Sequence, residues 1–398
     1  MLNHSETMTR SWKDAVVSFF HPRVMAMLFL GFSAGIPSLI IFSSLSLWLR
    51  EAGIDRSAVT FFSWASLGYS FKFIWAPLID QLPVPWLTKT LGRRRSWMIL
   101  SQIAVIASIV FMALVDPSRG AHSLTLMFLG AVALGFFSAT QDIVIDAYRI
   151  EAVISELQAM MASAYVAGYR IAMILSGAGS LFIAQFLGST KEIYRYDAWR
   201  YTYLIMAATM LVGVITTLVI HEPEQNLARK VPAQKNENIQ FLGLFLLSVT
   251  AFILVFHHGE KLVAQIEPFL KQILGDHGPG GFILETLRLA ASLGAAWMVS
   301  MLCISMGLSR KELVDRTYVE PIRNFFKRYG RNLSLLILCL VGLYRISDTV
   351  LGVIANVFYQ DLGFSMIEIA EVSKTFGLVM AIVGGFVGGI LSMRYGVL

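Results

Sequence analysis

The run from Ser138 to Arg149 holds the residue types most able to do chemistry in an otherwise apolar stretch. Asp142 and Asp146 stand i,i+4 and share one helix face, with Arg149 three residues further along it. A carboxylate at the centre of a membrane-crossing helix costs at least about 2.5 kcal/mol, so Asp142 should face a bundle interior with a cationic partner or a proton. The chemistry expected there is proton coupling or solute binding. The alternative is a structural ion-pair lock, which suits the shallower Asp146 better.

Tyr69, Lys72 and Trp75 recur at i, i+3 and i+6, placing a cation between two aromatic rings. Such a face can stack sugar rings and hold an acidic group. Lys72 could instead pair with Asp142 or extend to the interface. Tyr169 and Arg170 continue the pattern, because a guanidinium suits two-point contact with a carboxylate, or pairs with an acid on a neighbouring helix. Tyr344, Arg345, Asp348 and Lys374 mirror these interior positions later in the chain. Arg345 and Asp348, at i,i+3, can equally neutralise each other.

Positioning these residues requires membrane helices. Of 398 residues, 56% are hydrophobic and 15% charged, and the mean hydropathy is +0.65. Soluble domains carry roughly 25% charged residues. Apolar runs fall near 25–49, 58–82, 97–115, 122–146, 159–187, 199–220, 239–258, 281–308, 331–359 and 367–393, each close to the roughly 20 residues that cross about 30 Å of hydrocarbon. That predicts an all-α polytopic membrane protein of about ten spans. The formal charge of +6 lies in short loops beside apolar runs, which orients a membrane protein and argues against nucleic acid. Lys89, Arg93, Arg94 and Arg95 in one loop, and seven basic residues from Arg310 to Arg331 in another, place both loops and the N-terminus in the cytoplasm.

No enzyme motif is present. The chain has no Gly-x-Ser-x-Gly, His-Glu-x-x-His or phosphate-cradling loop, and two aspartates on one helix cannot flank a scissile bond symmetrically. Cys303 and Cys339 support neither a disulfide framework nor a metal site, and His257 with His258 lacks a third ligand, so no cofactor or metal is expected.

An internal repeat points to two halves: Gly31 to Gly53 and Gly342 to Gly363 share an outline, each followed by a span with a lysine, Lys72 or Lys374. Parallel repeats of this kind are what the two halves of a major facilitator show. The expected organisation is a cytoplasmic segment 1–24, a six-helix N-terminal half 25–220, and an insertion 221–330 with two extra spans and a cytoplasmic amphipathic segment. Residues 331–398 would open an incomplete C-terminal half, as in a truncated chain.

Pro77-Leu78-Ile79-Asp80 followed by Gly92-Arg93-Arg94-Arg95 resembles the loop signature of major facilitators, in which Asp80 and the arginines would form a gating charge relay. The spacer is longer here, and Ala76-Pro77 replaces the first glycine. Within that superfamily the sequence resembles the AmpG-type muropeptide permeases, through Gly31–Pro37, Tyr69–Asp80, Gly92–Arg95, Ser138–Tyr148, Gly168–Arg170, Leu343–Asp348 and Lys374–Leu378. The resemblance implies proton-driven import of GlcNAc-anhydroMurNAc peptides across the bacterial inner membrane for peptidoglycan recycling, by a monomer that meets only solute, protons and lipid. It assigns Gln141 and Asp142 to the family's Gln-Asp pair, Lys72 to its second-span lysine, and Asp348 and Lys374 to its second-half motif. A related branch that carries acetyl-coenzyme A is the alternative, and a truncated, transport-inactive scaffold is the third reading.

Overall fold

The computed structural model describes residues 17–55, 59, 62, 67–152, 155–190, 193–223, 235–274, 280–308, 310–344, 362–363 and 376–395, and every statement below concerns these. Arg345, Asp348 and Lys374 lie outside them. Described secondary structure is helical throughout. Seven helices are long and apolar enough to cross a membrane. Five come first: α1 (Pro22–Glu51), α3 (Arg93–Ala113), α4 (Ala121–Ala152), α5 (Leu157–Phe186) and α6 (Tyr196–Val219). Between α1 and α3 runs α2 (Leu67–Gln81), whose 15 residues reach about 22 Å.

Two further spans lie within α7 (Lys235–Leu274) and α8 (Gly280–Ser305). They are followed by α9 (Glu320–Tyr329), the shorter apolar α10 (Arg331–Tyr344) and α11 (Gly377–Tyr395). The described residues divide into two compact units, one within Met1–Ile79, Pro83–Lys230 and Asp348–Leu398, the other within Asp80–Leu82 and Val231–Ser347.

In the first unit α1 lies against α5 at very close range, and the sequence makes that possible. A Cβ on Gly31 would stand 2.1 Å from the Tyr165 carbonyl oxygen, one on Gly35 2.5 Å from that of Tyr169, and one on Gly168 1.9 Å from that of Leu28. Without a hydrophobic driving force between helices in lipid, small residues that admit backbone to backbone supply the packing. Gly384, Gly385, Gly388 and Gly389 on α11 behave differently. On α11 only Gly389 has neighbours, Phe19 and Ser163, whereas Gly384, Gly385 and Gly388 have none within 4 Å.

Pro37 interrupts the hydrogen-bond ladder of α1, and a π-helical turn follows at Ile40–Ser44. The Tyr203 hydroxyl of α6 donates to the Ile40 carbonyl at 3.1 Å within that turn. Just beyond, Trp48 stacks on Trp199 with centroids 5.8 Å apart, and Tyr203 packs on Trp48 at 4.7 Å. These rings anchor the buried apolar cluster at this end of the unit.

In the second unit α7 and α8 form a hairpin held by polar contacts as well as apolar ones. Ser248 and Ser300 hydroxyls meet at 2.8 Å, and Arg288 donates from Nε to the Phe256 carbonyl at 2.7 Å while its guanidinium lies 4.0 Å over the Phe256 ring. The positive charge is thus held against an aromatic face, which it favours when poorly hydrated.

Candidate functional site

Asp142 sits in the C-terminal half of α4 and is 8% exposed. Tyr165 of α5 donates from its hydroxyl to Oδ1 at 3.4 Å. Lys72 on α2 and Asp146 one turn along α4 are the charged neighbours acting on its carboxyl. The α1–α5 glycine contact carries Tyr165 and Tyr169 toward this point, with their rings 6.0 Å apart. A buried carboxylate, a cation on a facing helix and two phenols therefore converge. That combination can take and release a proton, or hold a solute carrying both hydroxyls and carboxylates.

The other expected residues divide between this cluster and the packing around it. The Tyr69 hydroxyl donates to Ser138 at 2.7 Å, and the Trp75 indole donates to Thr140 at 3.1 Å with its ring 4.8 Å from Phe136. Trp75 is 8% exposed, so its ring is spent on holding α2 against α4 instead of standing open beside Lys72. Gln141 turns to another face from Asp142 and donates to Ser33 of α1 at 3.1 Å. Across from it Thr217 of α6 donates to Gln102 of α3 at 3.1 Å, and a Cβ on Gly213 would press on both Ser33 and Gln102. This second polar group ties α1, α3, α4 and α6 together. Arg170 is half-buried on α5 and donates to the Met173 sulfur at 3.9 Å. Asp146 pairs with Arg149 at 3.3 Å, three residues along its own helix.

Asp80 is half-buried in the last turn of α2. Arg94 and Arg95 have definite partners within the first unit. Arg94 grips Glu151 of α4 with Nη2 to Oε1 at 2.6 Å and Nε to Oε2 at 2.8 Å. Glu222, just past α6, accepts from the backbone N–H groups of Arg94 at 2.8 Å and Arg95 at 3.1 Å, so a carboxylate caps the positive N-terminal end of α3. Arg95 in turn donates to the Thr217 and Leu218 carbonyls at the end of α6, at 3.0 and 2.8 Å. Arg23 similarly reaches the Ala152 carbonyl at the end of α4. Gly92 has φ +88, and a Cβ there would meet the Glu222 side chain at 2.4 Å. The glycine is required by both conformation and space.

Sequence reasoning missed Tyr165, Glu151 and Glu222. Tyr165 had a signal: it stands i,i+4 from Tyr169 with Gly168 between, facing the Gly31–Gly35 motif. For the two glutamates the signal was opposite charge at the same end of the bundle as the arginines, since unpaired buried cations are costly.

A bundle of membrane-crossing helices with a charged interior and an arginine-braced end describes a solute transporter, and the Major Facilitator Superfamily model matches residues 24–397. The chain belongs to this superfamily of membrane transporters. Among its relatives are a Rickettsia conorii protein carrying the name AmpG 4, 30% identical over 374 residues, which are 94% of this chain and 68% of that protein, and the Escherichia coli anhydromuropeptide permease, 27% identical over 377 residues, which are 94% of this chain and 56% of that protein. The chain thus spans little more than half the length of the E. coli permease.

Proposed function

We propose that this protein is a proton-coupled importer of GlcNAc-anhydroMurNAc peptides, placed in the bacterial inner membrane with its N-terminus and the Arg93–Arg95 cluster in the cytoplasm. It is a transporter and not an enzyme. The observation that carries the reading is Asp142: a carboxylate 8% exposed within a span, with one 3.4 Å hydroxyl contact from Tyr165 and Lys72 as its cationic neighbour. An intramembrane carboxylate of this kind marks an ion or substrate pathway. The name of the E. coli relative supplies the solute class.

Each residue then has a role. Asp142 exchanges the proton, and Lys72 offers the positive charge that Asp142 shares with an acidic solute. Tyr165, Tyr169 and Arg170 line the same region of α5 and contact sugar hydroxyls or peptide carboxylates. Arg345, Asp348 and Lys374, which lie outside the described residues, are assigned a solute-binding role as well. Arg94 and Arg95 brace one closed state from the cytoplasmic end.

Uptake of labelled GlcNAc-anhydroMurNAc-tripeptide into oriented vesicles containing the chain, with and without a protonophore, tests this. Protonophore-sensitive uptake supports it. Uptake of acetyl-coenzyme A instead would move the assignment to that branch.

A further inference from the structure

The segment that joins α8 to α10 forms a surface of its own within the second unit. Between Arg310 and Arg331 there are seven basic residues and three acidic ones, and from Pro321 to Arg331 there are four cations, Arg323, Lys327, Arg328 and Arg331, with no carboxylate. Apolar side chains fall at Tyr318, Ile322, Phe325, Phe326 and Tyr329, which is the i, i+4, i+7, i+8, i+11 stripe of an amphipathic helix. One end of the stripe is covered by protein: Tyr318 packs on the buried Phe241 of α7 with centroids 6.3 Å apart, beside the buried Val314 and Thr317. Of the rest, Phe325 and Phe326 are half-buried, whereas Ile322 is 62% and Tyr329 40% exposed.

Both ends of the segment are tied to apolar helices. It leaves α8 at Ser305 and turns into α10 directly at Gly330, where φ is +74 and the Ser334 N–H closes on the Gly330 carbonyl at 3.0 Å. The single-residue link at Gly330 holds the end of α9 directly against the start of the apolar α10. A helix held there, with an open apolar edge flanked by cations, matches the charge and layering of a lipid surface.

We propose that α9 is a docking surface for anionic phospholipid headgroups, with Arg323, Lys327 and Arg328 contacting the phosphates and Ile322 and Tyr329 seated among the upper acyl carbons. The occupant is lipid, because the polar face of α9 sets three cations, Arg323, Lys327 and Arg328, against the single carboxylate of Glu320 beside the exposed apolar Ile322 and Tyr329. Each lysine or arginine near an anionic leaflet contributes a factor of about five to partitioning.

The test uses the full chain in nanodiscs, with Cys303→Ala and Cys339→Ala and an environment-sensitive fluorophore on Ile322→Cys. In discs of phosphatidylcholine mixed with phosphatidylglycerol the probe should be shielded from aqueous acrylamide, and high salt should expose it. In phosphatidylcholine alone it should be exposed. Arg323→Gln, Lys327→Gln and Arg328→Gln together should weaken shielding about a hundredfold in apparent partition, while Arg323→Lys with Arg328→Lys keeps it and shows that the helix still forms. Equal shielding in both kinds of disc, shielding that survives the triple glutamine change, or loss in the lysine variant would each overturn the proposal.

Discussion

Arg94 and Glu151 meet in a two-point ion pair, 2.6 Å at Nη2 and 2.8 Å at Nε, with side-chain exposures of 4% and 17%. The fork joins the start of α3 to the last turn of α4, and Glu222 caps α3 beside it. Removing one partner leaves a poorly hydrated charge behind, at a cost of about 3 kcal/mol. Arg94→Gln and Glu151→Gln should each lower the melting temperature in detergent clearly. Arg94→Lys should rescue only part of it, because an ammonium cannot make the fork. Melting curves unchanged by either glutamine variant would contradict this reading.

Gly31 on α1 separates two kinds of glycine in this chain. A Cβ added there would lie 2.1 Å from a backbone oxygen of α5, whereas one added at Gly384 meets nothing within 4 Å. Gly31→Ala should therefore destabilise by about 1–3 kcal/mol through forced separation of α1 and α5. Gly384→Ala should be neutral or slightly stabilising, since alanine is the better helix former. Thermal unfolding of the two variants side by side checks the contrast.

Asp116, in the loop between α3 and α4, predicts an acid-sensitive end of the bundle. Burial by itself pushes its carboxyl up, but hydrogen bonds from the Ser118 hydroxyl and N–H and the Tyr194 hydroxyl, with Arg119 nearby, hold it below the usual carboxylate range. The depressed folded-state value means that the stabilisation is fully present above about pH 3.9, the ordinary aspartate value, and is lost as pH falls below that through the folded-state value. Asp116→Asn should flatten the melting temperature against pH in that acid window. A wild-type profile already flat there would refute the assignment.

Tyr165→Phe removes the hydroxyl that reaches Asp142 at 3.4 Å. The ring remains to pack on Tyr169, so the fold should hold. A single hydrogen bond of about 1 kcal/mol corresponds to roughly a fivefold loss in uptake rate. Uptake by a correctly folded variant at the wild-type rate would remove Tyr165 from the site.

How much of this was legible in the sequence depends on which forces set each feature. The helices were readable because lipid demands long apolar runs with all backbone groups satisfied internally. Asp142 was readable because an intramembrane carboxylate is expensive wherever it points. The partners were harder. Tyr69, Lys72 and Trp75 share spacing, yet the indole N–H of Trp75 must find an acceptor when buried and finds Thr140 at 3.1 Å. Gln141 precedes Asp142 directly in sequence, but one residue is about 100° of helix rotation, so it points at Ser33 instead. Glu151 and Glu222 are distant from Arg94 in sequence, and nothing local announces a pairing set by how α3, α4 and α6 end together.

The measurement that bears most directly on the central claim compares wild type with Asp142→Asn in vesicles, using labelled GlcNAc-anhydroMurNAc-tripeptide. Uphill accumulation driven by an imposed pH gradient is read alongside equilibrium exchange without one. If Asp142 carries the coupled proton, the variant should lose accumulation while keeping a substantial part of the exchange. Accumulation at the wild-type level in Asp142→Asn would contradict the account.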